Sequence, residues 1–237
     1  EGSPALRAVQ AARIPGGHFH DDATGLPEVG PLLLVANEFL DALPLRQLVR
    51  TEAGWRERMV GLEGDTFVFC AGLQPFDAPV GDEHPSGTII ESNPVAEAVV
   101  QEIARRLVRQ GGAALIIDYG HLAPRTGSTV QAVRAHRKVD PLALPGEADL
   151  TAHVDFAALA AIARTAGCRV LTATQGAWLE AMGIELRADA LARAAPGRAA
   201  EIAVARHRLA SRDKMGELFK VMALTAPGWP EGAGFAP

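Results

Sequence analysis

At 237 residues, with 48% hydrophobic and 22% charged content, the chain has the composition of an ordinary globular protein, long enough for one large domain carrying an insertion. A formal net charge of -5 without any strongly basic run argues against nucleic acid as a partner, and no apolar run approaches the ~20 residues of a membrane span. The two cysteines, Cys70 and Cys168, stand outside any CxxC pattern, which points to reduced thiols in a reducing compartment.

In chain order, Ser3 and Pro4 form a cap and first turn, and Leu6, Val9 and Gln10 continue a helical pattern. A strand ending in an acid normally precedes such a helix; here the chain enters the helix at once, as though in the middle of a domain. The loop Gly16–Asp22 gathers His18, His20, Asp21 and Asp22 without HExxH or another strong ligand pattern, so no metal is expected. Leu32 to Val35 is an unbroken apolar run, suited to a parallel strand buried on both faces. Asn37, Glu38 and Asp41 follow at its carboxyl end, where open α/β sheets bind ligands. Pro44 keeps this group on a short turn. Clustered carboxylates there can hold a cation or move a proton; alternatively, Asn37 or Asp41 caps a helical turn and Glu38 is solvated.

From 46 to 71 the period changes to about two, predicting an antiparallel meander, and 74–87 reads as a surface loop. Ser92, Asn93 and Pro94 open a helix to about Gln110, with Val95, Val99, Ile103 and Leu107 as its apolar stripe. Gly111 and Gly112 stop it. Ala113 to Tyr119 is a second buried strand, ending in Asp118, Tyr119, Gly120 and His121. No Gly-x-Ser-x-Gly elbow accompanies them, which speaks against a hydrolase triad. The segment 126–155 has little regular period and many polar residues, His136 and His153 among them, as expected of a binding loop or lid. Thr151 and Asp155 are possible caps of a helix over 156–166. Strands are expected over 168–173 and 219–225, separated by the helical stretches 176–184 and 185–211, the latter broken at Pro196 and Gly197.

The strings EGSPALRAVQ, LLLVANEFLDALPLRQLV, GWRE, GGAALIIDYGH, PGEADLTAHVDF, WLEAMGI and KMGELFKVMAL, in this order, resemble the MidA family of S-adenosylmethionine-dependent methyltransferases, whose mitochondrial members are complex I assembly factors. The resemblance implies an α/β, class I methyltransferase fold, Rossmann-like with a seven-stranded sheet, in which CRVLTA and FKVMALT form the antiparallel end pair. It implies an inserted meander and loop over 45–87 and substrate-side elements over 121–155 and 176–211. It also makes 1–237 a partial domain, since the first strand and the glycine-rich loop that approaches the cofactor's methionine are not found in this sequence. On the matched positions, S-adenosyl-L-methionine would meet Glu1 at its ribose, with Ser3 beside it, Asp21 near its adenine and Asn37 near its reacting end. Glu38 and Asp41 would act on the methyl acceptor, with Asp118, His121 and His136 completing or covering the acceptor pocket. The mitochondrial relatives imply a protein arginine as acceptor and a matrix location, and a bacterial member would be cytoplasmic. A non-catalytic assembly factor that binds a partner protein, or a small-molecule methyltransferase, are the alternatives.

Overall fold

A computed structural model describes residues 3–78, 83–143 and 145–235. Helix α1 (Pro4–Arg13) is capped by the Ser3 hydroxyl and buries none of its residues; Leu6, Val9 and Ile14 are exposed. Strand β1 (Leu32–Asn37) leads to the meander β2 (Arg46–Thr51), β3 (Gly54–Glu63) and β4 (Thr66–Pro75), then β5 (Ile89–Ser92) and α2 (Pro94–Gln110). Strand β6 (Gly112–His121) is followed by short strands β7 (Gln131–Arg134), β8 (Arg137–Val139), β9 (Asp149–Thr151) and β10 (Val154–Asp155). The chain closes with α3 (Phe156–Thr165), β11 (Arg169–Thr174), α4 (Gln175–Ala181), α5 (Ile184–Ala194), α6 (Ala199–Ala210), α7 (Met215–Leu218) and β12 (Phe219–Thr225).

The main sheet runs β1-β6-β12-β11, with β10 added beside the end of β6. β1 and β6 are parallel, whereas β12 is antiparallel to both β6 and β11. Helices α2 and α3 cover one face, burying Val100, Ile103, Leu107, Phe156 and Leu159 against Ala114, Ile116, Met222 and Leu224. β12 is buried along its whole length, as a strand flanked on both edges should be.

β1 departs from the two-sided burial its apolar run suggests. Leu32, Leu34 and Ala36 pack on the core, but Leu33 and Val35 are 75% and 74% exposed. Among the described residues β1 pairs only with β6, so it is an edge strand with one bare face. The α2 stripe is also shifted: Ala96 and Val100 are buried with Ile103 and Leu107, while Val95 is exposed. Arg106 is buried as well, because its guanidinium holds the carbonyls of Thr24 and Leu26 and thereby straps the 23–27 turn onto α2.

The segment 126–155 is more regular than its sequence period indicates. β8-β7-β9 form a small antiparallel sheet whose strands are too short to show a period. Ala135 and His136 turn between β7 and β8 with φ of 48° and 61°. The meander sheet, β4-β3-β2-β5, takes its last strand from Ile89–Ser92.

Candidate functional site

The carboxyl ends of β1 and β6 lie side by side, with Asn37 opposite Ile117 in register. The Glu38 amide extends this ladder by donating to the Ile117 carbonyl at 2.9 Å. The backbone then breaks away, because Glu38 takes the left-handed conformation, φ 48°. For a residue with a side chain that costs about 1–2 kcal/mol. The turn brings three consecutive amides onto one atom: Phe39, Leu40 and Asp41 donate to Asp118 Oδ2 at 3.2, 3.0 and 3.3 Å. The Tyr119 amide fills Asp118 Oδ1 at 3.0 Å. Successive amides of this kind form an anion-binding concavity, and bonds to a carboxylate are stronger than neutral ones.

Asp118 therefore has no exposed surface and spends both oxygens on backbone amides. Expected to line the acceptor pocket, it lies beneath the 38–41 turn instead. Burial and the Asp41 charge push its carboxyl up to about 7, against the pull of the Leu40, Tyr119 and Asp41 amides. Asp41 is also buried, and it stands near the Tyr119 hydroxyl together with Thr151. That environment, with burial foremost, raises the Tyr119 hydroxyl well above its ordinary value. The Asp41 carbonyl takes the Ala152 amide at 3.0 Å, so the 38–41 turn and the end of β9 are stitched together.

Glu38 and Asn37 remain at the surface, with Asn37 Nδ2 donating to Glu38 Oε1 at 3.2 Å. His121, at the end of β6, has Nδ1 2.8 Å from the Ala123 carbonyl and 3.7 Å from Asp155 Oδ1. Asp155 itself caps α3. His136 sits at the exposed tip of the β7–β8 hairpin. Asp21 is exposed and paired with Arg7 at 2.9 Å, and Ser3 caps α1. Glu1 lies outside the described residues. Among the described residues no group of three or more His, Cys, Asp or Glu side chains is placed to hold a metal, and no helix is long and apolar enough to cross a membrane.

A second polar group was not legible in the sequence. Glu91 Oε1 accepts from Gln47 Nε2 at 2.6 Å and from the Thr129 amide at 2.9 Å, while Oε2 takes the Thr129 hydroxyl. Arg58 donates to Gln47 Oε1 at 2.7 Å and lies over the Phe69 ring. Thr129 Oγ1 in turn accepts the His153 amide at 2.9 Å. The Glu91 network thus ties the meander to the segment that is stitched to the 38–41 turn. Its residues come from five separate stretches, so no local spacing could have signalled it.

A mixed α/β sheet, with β1 parallel to β6 and β12 antiparallel to β6 and β11, and polar residues gathered at the carboxyl ends of β1 and β6, is the class the structure defines. Residues 1–174 match the family described as "Putative S-adenosyl-L-methionine-dependent methyltransferase", and the chain belongs to that family. It is 33% identical over 259 residues to the mitochondrial protein arginine methyltransferase NDUFAF7 of Xenopus tropicalis, covering 94% of this chain and 59% of that protein. The Mus musculus protein of the same name is 34% identical over 227 residues, 92% of this chain and 51% of that one. The chain thus spans between half and three-fifths of the length of these relatives.

Two solved structures from Burkholderia thailandensis share the fold. One, an uncharacterised protein, matches with a TM-score of 0.85 at 31% identity over 100% of this chain and 67% of that one. The other, a member of the same superfamily bound to S-adenosyl-homocysteine, has a TM-score of 0.81 at 30% identity, over 98% of this chain and 64% of that one. The α/β methyltransferase fold expected from the sequence is borne out by these matches.

Proposed function

We propose that this chain carries the acceptor side of an S-adenosylmethionine-dependent methyltransferase that modifies arginine in a protein. One observation carries the reading of the site: Glu38, forced into a left-handed turn at the carboxyl end of β1, presents an exposed carboxylate where such sheets bind ligands. Family membership and the S-adenosyl-homocysteine bound to a 30% identical neighbour support the cofactor. The name of the NDUFAF7 relatives supports the acceptor.

The fit to the cofactor is partial among the described residues. Asn37 is exposed at the strand end where the reacting part of the cofactor would lie. No glycine-rich loop joins a strand to a helix there: Gly16 and Gly17 follow α1, and Gly111 and Gly112 enter β6. We place that loop in a further segment of the protein, packed beside β1. The bare edge of β1, its exposed Leu33 and Val35 and the greater length of the relatives support this. Ser3 and Asp21 would then border the cofactor's sugar and base.

When bound, the cofactor supplies an activated sulfonium methyl group. The chain's own residues have to hold and orient a planar cation. Glu38 accepts charge-assisted, bidentate hydrogen bonds from the guanidinium and turns one nitrogen toward the methyl group. Alignment of that kind accounts for much of the rate. Asp41 shapes the turn from below, while His121 and the hairpin bearing His136 flank the approach. The unpaired Cys70 and Cys168 support a reducing setting such as a bacterial cytoplasm.

Methyl transfer from S-adenosylmethionine to an arginine-containing peptide, measured for the full-length protein and its Glu38→Gln variant, tests this reading. The variant is expected to lose turnover by about 100-fold while its affinity for S-adenosylhomocysteine is kept. Unchanged turnover would remove Glu38 from the acceptor site.

A further inference from the structure

Asp118 is an ionisable group in an apolar row. It follows Ala114 and Ile116 on the core face of β6, and its partner in register on β12 is Lys220. That lysine, though buried, gives its ammonium to the carbonyls of Glu217 and Leu218 at the end of α7. Among the described residues no ion pair reaches Asp118, and its oxygens are satisfied by four backbone amides, three of them from the 38–41 turn. Burying a carboxylate this deeply is costly unless it is well hydrogen-bonded, and these amides are orphans of the broken ladder that need an acceptor.

We infer that Asp118 is a positioning residue for methyl transfer: its carboxylate gathers the Phe39, Leu40 and Asp41 amides and so holds Glu38 left-handed, with its side chain directed outward to the acceptor. The inference rests on the reading of Glu38 given above. The energetics fit. One left-handed glutamate is mildly strained, whereas the buried Leu40 and Asp41 amides and the half-buried Phe39 amide would each be left without an acceptor, a larger penalty in sum. The cradle outweighs the strain. Without it, Glu38 relaxes to negative φ and its carboxylate swings away from the strand end. The same cradle fixes Asp41, whose carbonyl takes the Ala152 amide and whose side chain stands near Tyr119, so a single carboxylate sets the floor and one wall of the site.

The test combines two substitutions at 118 with one at 38. Asp118→Ala removes every acceptor. Asp118→Asn keeps one oxygen for the turn amides but sets its NH2 against the Tyr119 amide, and it serves alone if the alanine variant does not fold. With an arginine-containing peptide, Asp118→Ala is expected to lower kcat by about 100-fold with S-adenosylhomocysteine affinity kept, Asp118→Asn falling between it and the wild type. In a Glu38→Gln background neither substitution lowers kcat further, since Asp118 acts through Glu38. Losses that multiply in that background would overturn the inference.

If Glu38→Gln alone leaves turnover unchanged, the acceptor reading fails separately, and amide exchange decides on Asp118. The Phe39, Leu40 and Asp41 amides should exchange at least about tenfold faster in the Asp118 variants, with Ile116 still protected. Unchanged exchange at those three amides would overturn the role assigned to Asp118.

Discussion

At Glu38 the usual ranking of small residues is reversed. Alanine normally outperforms glycine because glycine has more freedom to lose on folding. At φ 48°, however, alanine keeps the left-handed strain and glycine does not. Thermal unfolding should find Glu38→Gly more stable than Glu38→Ala by about 1 kcal/mol, with both inactive in methyl transfer. The opposite order would mean that the turn relaxes at little cost. Asp118 adds a pH dependence of definite sign. Its folded-state value of about 7 lies above the ordinary 3.8, so the folded chain binds the proton more tightly. The resulting stability is complete below about pH 4 and is lost as pH rises through about 7. The melting temperature of the wild type minus that of Asp118→Asn should therefore fall over this window, whereas a flat difference would mean that the carboxyl titrates alike in both states.

Strand β10 is short, yet it determines where the polar segment lies. It can approach β6 because Gly120 has no side chain: a Cβ there would stand 2.1 Å from the Val154 carbonyl oxygen. That approach puts His153 edge-on to Tyr119, with ring centroids 5.7 Å apart, and leaves Thr151 and Ala152 within reach of Asp41 and Tyr119. Gly120→Ala is expected to push β10 off the sheet, at a cost of about 1–3 kcal/mol from overpacking. Limited proteolysis should then cut within 121–155 faster than in the wild type while the β6–β12 amides stay protected; equal cleavage would show that β10 is not what fixes the segment. The sequence marks β1, β6, β11 and β12 because each is an apolar run set off by glycines, polar residues or changes of period. The small β8-β7-β9 sheet was invisible because strands of three or four residues show no alternation. The acidic turn, by contrast, was legible from the polarity change at Asn37. Which carboxylate faces solvent was not, since that depends on the amides Glu38 turns toward Asp118, a residue 80 positions further along the chain.

Across the whole molecule, the sheet is asymmetric. β12 at its centre is buried on both faces, whereas β1 carries Leu33 and Val35 to the surface beside an edge with no partner among the described residues. Two large apolar side chains standing side by side on an exposed edge strand invite pairing with another chain. If a further segment of the protein covers this edge and the bare face beside it, as the proposed cofactor loop requires, the two residues become core positions in the full-length protein. The same substitutions should then have different costs in the two contexts. Leu33→Lys with Val35→Lys should change the stability of this 237-residue chain by no more than about 0.5 kcal/mol, as ordinary surface replacements do, and should lower its tendency to associate. In the full-length protein the pair should cost several kcal/mol, because each replacement buries an unpaired charge. Denaturant unfolding of both forms, with and without the two lysines, measures the difference directly. Equal small costs would leave β1 an edge strand in the full protein and require the cofactor's remaining contacts to come from elsewhere. A large cost confined to the full-length form would mark the bare face of β1 as the seam along which the cofactor-binding half joins the acceptor half.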